Sequence, residues 1–512
     1  MEALDWLVIG VFFLALIGII VWVVRQKQND SADYFLGGRD ATWLAIGASI
    51  FASNIGSEHL IGLAGAGASS GMAMAHWEIQ GWMILILGWV FVPFYSRSMV
   101  YTMPEFLERR YNPQSRTILS VISLVSYVLT KVAVTVYAGG LVFQQVFGIK
   151  ELWGIDFFWI AAIGLVVLTA IYTIFGGMKS VLYTSVLQTP ILLLGSLIIL
   201  VLGFKELGGW DEMMRVCGAV TVNDYGDTMT NLIRSNDDAN FPWLGALIGS
   251  AIIGFWYWCT DQFIVQRVLS GKNEKEARRG TIFGAYLKLL PVFLFLIPGM
   301  IAFALHQKYI GAGGEGFLPM LANGTANADA AFPTLVAKLL PAGVKGLVVC
   351  GILAALMSSL ASLFNSSAML FTIDFYKRFR PETPEKKLVG IGQVATVVIV
   401  ILGILWIPIM RSVGDVLYTY LQDVQSVLAP GIAAAFLLGV CWKRTSAQGG
   451  MWGLISGMVI GLTRLGAKVY YSNAGEVADS TFKYLFYDMN WLFFCGWMFL
   501  FLSLIHISEP TR

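Results

Sequence analysis

Charge is scarce in this chain. Of its 512 residues only 13% are Asp, Glu, Lys or Arg and 57% are hydrophobic, where a soluble domain carries roughly 25% charged residues. That shortage excludes a water-soluble globule, and with a mean hydropathy of +0.70 it leaves an integral membrane protein. An excess of one sign is lacking too: a net charge of +2 provides no basic footprint for nucleic acid. Cysteine is sparse, at five residues. Cys217 falls in a loop and Cys259, Cys350, Cys441 and Cys495 fall in or beside apolar runs, so no disulfide framework or metal-ligand spacing is visible. A catalytic constellation is also missing, because Glu58 and His59 are adjacent rather than one helical turn apart. The chain is not read as an enzyme. The first apolar run, Leu7 to Val24, is too long for a signal peptide and has neither a basic leader nor a small-residue cleavage site. It is read as a retained helix.

What is present is a series of apolar runs about 20 residues long. They predict about thirteen spans, at 4–24, 41–70, 76–96, 118–147, 155–176, 181–204, 242–268, 280–306, 342–376, 387–409, 415–440, 448–471 and 487–506. Basic residues concentrate in alternate loops, for example Arg109, Arg110 and Arg116, then Lys272, Lys275, Arg278 and Arg279, then Lys377, Arg378, Arg380, Lys386 and Lys387. Cytoplasmic loops are the basic ones, so the N-terminus is placed outside, in a multi-pass protein of a cell (inner) membrane.

Within these runs a few polar residues stand out, since a charge at the centre of a spanning helix costs on the order of 3 kcal/mol on insertion scales. Glu58, Glu78, Lys131, Asp261, Lys288 and Asp423 are charged, and Asn54, His59 and Gln422 are not. Each alone is equally readable as a helix-to-helix hydrogen bond; their spread over six spans points to a shared wet cavity. "FASNIGSEHLIGLAGAGASSG", Phe51 to Gly71, puts polar residues and glycines in span two. "GFWYWCTDQ", Gly254 to Gln262, does the same in span seven. Unwound backbone at membrane depth is tolerated only where it lines a cavity or binds something, and two such breaks in corresponding halves signal an inverted-repeat transporter. In span nine, Ala355, Ser358 and Ser359 share a helix face and present a carbonyl and two hydroxyls, a neutral set suited to a monovalent cation. The same serines are also readable as bonded back to their own helix.

Long motifs run almost the whole length of the chain: "DYFLGGR", "ASNIGSEHLIGLAG", "YTMPEFLERRY", "YTIFGGMKSVLYTSVLQT", "WYWCTDQFIVQRVLS", "LKLLPVFLFLIPGM" and "GVKGLVVCGILAALMSSLASLFNSSAMLFTIDFY". Through them the chain resembles the sodium:solute symporters, and within these the sodium/glucose cotransporter branch. The resemblance implies an all-α polytopic fold with a five-plus-five inverted-repeat (LeuT-like) core, discontinuous helices two and seven, and alternating access. It implies a co-transported sodium ion held by carbonyls of Ala52, Ile55 and Ala355 and hydroxyls of Ser358 and Ser359. It also implies a hexose, glucose or galactose, held by Asn54, His59, Glu78, Lys288 and Gln422. Tyr257 would stack beneath the ring as an inner gate, with Trp258 and Asp261 as its neighbours, and Lys131 is a further supporting polar residue. Leu63, Trp77 and Tyr418 fall at outer-gate positions; Trp77 and Tyr418 are also readable as interfacial aromatic anchors. Carboxylate, ammonium and amide together satisfy groups that both donate and accept, as sugar hydroxyls do.

On this reading the chain divides into a peripheral first helix and loop (1–40), a first repeat (41–206), an outside loop (207–241), a second repeat (242–440), peripheral helices (441–502) and a non-native read-through tail (503–512), the last because "SLIHISEPTR" looks like translated adapter sequence. Two departures from the family pattern matter. Ser185 stands where relatives that bind two sodium ions have aspartate, and Ala361 where they have a hydroxyl, so one sodium per sugar is expected. A single charge carries about 2.3 kcal/mol per 100 mV plus roughly 1.4 per tenfold gradient, enough for accumulation on the order of 10³-fold. The expected partners are a small sugar, sodium and the lipid bilayer, with no obligatory protein partner evident. An inositol or other polyol as cargo, and a sodium-dependent sugar sensor or leak channel, are the competing expectations.

Overall fold

Apolar segments that must satisfy every backbone polar group without water fold as helices or closed barrels, and here they are helices. The computed structural model describes the backbone of residues 1–26, 30–56, 58–321, 324–413, 417–473 and 478–507, with side chains described except at 129–130, 409–413, 417–423, 472–473 and 506–507. Among these residues the named strands form a single hairpin, Glu151–Leu152 against Ile155–Asp156.

Eight helices among the described residues are long and apolar enough to cross a bilayer, or nine counting one bent pair, Thr481–Asp488 with Trp491–Ile505. These do not map one to one onto the expected spans. The expected spans 155–176 and 181–204 lie on either side of a kink within the 51 residues Phe157–Leu207, where Gly177 leaves helical geometry (φ 53°, ψ −148°). A Cβ at Gly177 would strike the Tyr34 carbonyl, so both the dihedral and the close approach demand glycine there. The expected second span is itself divided, into Trp43–Asn54 and a wide-turned segment, Glu58–Leu63, that leads into Ala64–Ser70.

Helix starts in the basic loops are set by side-chain caps. Asn112 accepts from Ser115 N at 2.8 Å ahead of Pro113, and Asn273 accepts from Glu276 N at 2.9 Å. Each cap satisfies an amide the helix cannot, worth about 1 kcal/mol.

Exposure separates the lipid-facing helices from the core. The first helix, Ala3–Val24, presents Leu7, Val11, Leu14 and Ile17 outward, and Phe157–Leu207 presents Ile171, Phe175, Leu194 and Val201. The helix Val344–Met369 is buried along most of its length. It packs along Phe157–Leu207 and against the first helix, where Asp5 Oδ1 accepts from the backbone N–H groups of Gly343 and Gly346 at 2.7 and 2.8 Å and so caps its N-terminus. A second close pair is Trp43–Asn54 on Glu274–Leu287. A Cβ on Gly280 would come within 2.6 Å of Ile46 Cβ, so the small residue sets the separation. Val344–Met369 carries Ser358 and Ser359, and Glu274–Leu287 ends at Lys288.

Candidate functional site

The two interrupted spans meet at the centre. Trp43–Asn54 ends because Ile55 turns to extended geometry (φ −76°, ψ 103°). Its freed main chain faces Ser359, whose Oγ donates to the Ser53 carbonyl at 2.8 Å and lies 3.4 Å from the Ile55 carbonyl. Ser358, one residue back on the same helix, has its Oγ 3.3 Å from Ser185 Oγ. Ser185 in turn donates to the Val181 carbonyl at 2.6 Å and reaches Ser49 Oγ at 3.4 Å. Ala52, Ala355 and Ala361 are buried on these same helices. Ser53 Oγ and Ser362 Oγ, which sequence reasoning did not single out, are 2.7 Å apart. The neighbourhood is one of main-chain oxygens and hydroxyls.

Span seven runs as Trp243–Phe255, then a wide turn over Trp256–Thr260, and becomes extended at Asp261 (φ −74°, ψ 127°) before Gln262–Leu269 begins. Here the side chain of the break residue is itself engaged. Asp261 accepts from Phe263 N at 3.1 Å and from Lys131 Nζ at 2.6 Å, and the Tyr127 hydroxyl donates to it. The two interrupted spans are tied by Asn54 Nδ2 donating to the Tyr257 hydroxyl at 3.1 Å and by Arg267 Nε donating to Ser53 Oγ at 3.1 Å.

Beside this junction lies a cavity lined by Asn54, His59, Leu63, Trp77, Glu78, Tyr257, Trp258 and Lys288. Glu78 is buried, with Oε2 2.6 Å from Lys288 Nζ and Oε1 3.2 Å from His59 Nε2. His59 Nε2 is also 2.8 Å from Lys288 Nζ. One nitrogen cannot serve both contacts: it either accepts from the lysine or donates to the carboxylate. Gly81 leaves passage for the lysine stem, since a Cβ there would meet Lys288 Cγ at 2.7 Å. The ammonium also sits 5.5 Å from the Trp258 ring centre. Removing one member of such a buried pair costs about 3–5 kcal/mol.

Asn54 Oδ1, His59 Nδ1 and Gln80 Oε1 are buried in the cavity wall without a hydrogen-bond partner. The cavity leaves about 20 Å³ for water centres, room for one or two waters. A larger solute enters only when the wall moves, and Trp77, half-buried and edge-on to Trp491 at 5.8 Å, forms part of that wall.

Of the residues singled out in the sequence, Asn54, His59, Leu63, Trp77, Glu78, Tyr257, Trp258 and Lys288 come together around the cavity. Ile55 and Ser359 come together at the first break, and Ser358 meets Ser185. Lys131 and Asp261 pair with each other away from the cavity lining. Tyr418 and Gln422 lie outside the residues whose side chains are described. Sequence reasoning missed Gln80, Ile253 and Gln425 as cavity-lining residues and left Glu58, which also lines it, as an unplaced charge. No spacing signal pointed to Gln80, since residues two apart on a helix do not share a face.

Comparison with known proteins bears on this arrangement. The model of the sodium:solute symporter family matches residues 34–457. Human sodium/myo-inositol cotransporter 2 is 38% identical over 479 residues, covering 91% of this chain and 70% of its own. Rat sodium/glucose cotransporter 2 is 38% identical over 512 residues, covering 96% and 75%. A solved structure of a Na⁺-coupled sialic acid symporter in a substrate-bound outward-open state superposes with a TM-score of 0.79 at 21% identity, covering 100% of this chain and 99% of the other.

Proposed function

The chain belongs to the sodium:solute symporter family, as a multi-pass membrane transporter that moves its solute with sodium, and from that premise we propose that it couples one sodium ion to the uptake of a hexose, glucose or galactose, by alternating access. The observation that carries this reading is the meeting of the Ile55 carbonyl and the Ser359 hydroxyl, 3.4 Å apart, one residue from Asn54 in the wall of the polar cavity. A serine hydroxyl is a rotor: with sodium present, Ser359 and Ser358 turn oxygen lone pairs toward the ion while the carbonyls of Ala52, Ile55 and Ala355 complete a neutral shell. Sodium bound there fixes the end of span two and so holds Asn54 in place for the solute. Coupling follows as differential binding between conformers.

For the solute, Glu78, Lys288 and His59 satisfy one another when the cavity is closed and exchange those bonds for hydroxyls when it opens. Asn54 and Gln422 add amides, and Tyr257 and Trp258 offer faces to the apolar side of a ring. Leu63, Trp77 and Tyr418 would close the outer path. The single-ion stoichiometry is supported by Ser185, which makes hydroxyl and carbonyl contacts where a carboxylate would be needed to balance a second sodium. Myo-inositol is the second reading, supported by equal identity to relatives of both kinds.

Proteoliposomes given labelled glucose, galactose and myo-inositol, with and without an inward sodium gradient, test this. Sodium-driven accumulation of a hexose at a charge-to-sugar ratio near one is expected. Accumulation of inositol alone would move the assignment to the polyol, a ratio near two would overturn the single ion, and sodium-stimulated equilibration without accumulation would make the protein a leak pathway.

A further inference from the structure

Gln80 is a buried amide with no assigned task. It is 6% exposed and lines the cavity, and its Oε1 has no hydrogen-bond partner. Leaving a buried acceptor unmet is destabilising, so the position needs an explanation. The opposing surface supplies one. On span seven, Gly254, Tyr257 and Trp258 stand at i, i+3 and i+4 and therefore share a helix face; the two aromatics line the same cavity. At Gly254 that face has no side chain, and a Cβ built there would come within 2.6 Å of Gln80 Oε1 and 3.3 Å of its Cδ. The glycine is thus the socket in which the Gln80 amide lies, in the wall of the cavity that Tyr257 and Trp258 also line.

We infer that Gln80 contacts the solute and sets its specificity: its free Oε1 accepts a hydrogen bond from one ring hydroxyl of a sugar or cyclic polyol, and Gly254 exists to let the amide reach it. This rests on the sugar-or-polyol reading above. The partner is a hydroxyl because the unmet atom is an acceptor and the cavity has room for a small donor. A solute with hydrogen in place of that hydroxyl leaves Oε1 unmet and is rejected, since a site built to hydrogen-bond a group discriminates strongly against its absence.

The test is inhibition of labelled-substrate uptake by a complete monodeoxy series of the transported sugar or polyol, on the full chain in proteoliposomes, for wild type, Gln80→Leu and Gly254→Ala. In wild type, removing the hydroxyl that Gln80 reads weakens binding roughly tenfold. In Gln80→Leu the parent weakens by a similar factor, and the ratio of parent to that one deoxy analogue falls to about one, while the ratios at every other ring position stay as in wild type. Gly254→Ala, which displaces the amide without removing it, lowers the same ratio and no other. If wild type recognises no sugar or polyol, the substrate reading falls and this assignment with it. If wild type discriminates among the analogues but both variants keep every ratio, the assignment alone is overturned. A variant that loses all ratios together likewise overturns it, because the amide would then be shaping the cavity rather than reading a hydroxyl.

Discussion

The two interrupted helices differ in what meets their loose ends. At Ile55 the freed main chain is met by neutral serine hydroxyls from the neighbouring helix. At Asp261 the break residue caps its own continuation and is held by the Lys131 ammonium and the Tyr127 hydroxyl. The same local event, a turn to extended geometry in mid-span, therefore produces two different objects. The second is complete in itself, a buried ion pair with a capped helix. The first presents the Ser53 and Ile55 carbonyls to the Ser359 hydroxyl, oxygen ligands of the kind that hold a monovalent ion, with the Arg267 guanidinium reaching the Ser53 hydroxyl beside them at 3.1 Å. The two breaks thus differ in the side chains that face them rather than in the backbone turn itself.

The sharpest way to break this comparison is to unpair the second interruption. Lys131→Met leaves the buried Asp261 carboxylate without its cation, held by the Tyr127 hydroxyl and the Phe263 N–H alone, and is expected to cost about 3–5 kcal/mol, seen as a large fall in thermal stability of the detergent-solubilised protein. A variant as stable as wild type would show that the second break does not depend on its ion pair. A smaller effect is expected on the solute side of the first break. Glu78→Ala leaves Lys288 and His59 without their shared acceptor and should weaken solute binding roughly tenfold or more, with the sodium dependence of uptake little changed. A parallel loss of both would mean that the cavity and the first break are one site.

The smallest effect concerns the part of span two beyond its break. Burial pushes the Asp329 carboxyl up to about 6, and its Oδ1 lies where a Cβ on Gly65 would come within 2.7 Å. A native pKa raised above the unfolded value of 3.8 means the folded chain holds a proton that the unfolded chain releases. The resulting stabilisation is full below pH 3.8 and is lost as pH rises through about 6. Protection of residues 64–70 in hydrogen exchange, after correction for intrinsic rates, should fall from pH 5 to pH 7 and become nearly level in Asp329→Asn. The same slope in both proteins would remove Asp329 as its cause.

Sequence reasoning located these features unevenly, and for physical reasons. The break in span two is legible because Asn54, Gly56 and Glu58 interrupt an apolar run over a few adjacent residues. The break in span seven is legible only as a region, Gly254 to Gln262, because Trp256–Thr260 continues as a wide turn before Asp261 leaves the helix. Within Phe157–Leu207 two helices meet across a kink at Gly177, which falls between the expected spans 155–176 and 181–204. Hydropathy sees the polar dip around Gly176 and Gly177 but not whether the backbone hydrogen bonds carry through. The mutual pairing of Glu78 with Lys288, 210 positions apart in the chain, has no local signature: the sequence marks both as charges within apolar runs, and the family resemblance as hexose-binding positions, but neither pairs them. Gln80 escaped because nothing in the sequence shows that Gly254 provides its socket.

The central claim, that the first break and not the second holds the coupled ion, is tested most directly by the sodium concentration for half-maximal uptake in Ser359→Ala measured beside Tyr127→Phe. The account predicts a severalfold rise in Ser359→Ala, with uptake recovering at high sodium, and no shift in Tyr127→Phe. An unchanged sodium dependence in Ser359→Ala, or a shift confined to Tyr127→Phe, would contradict it.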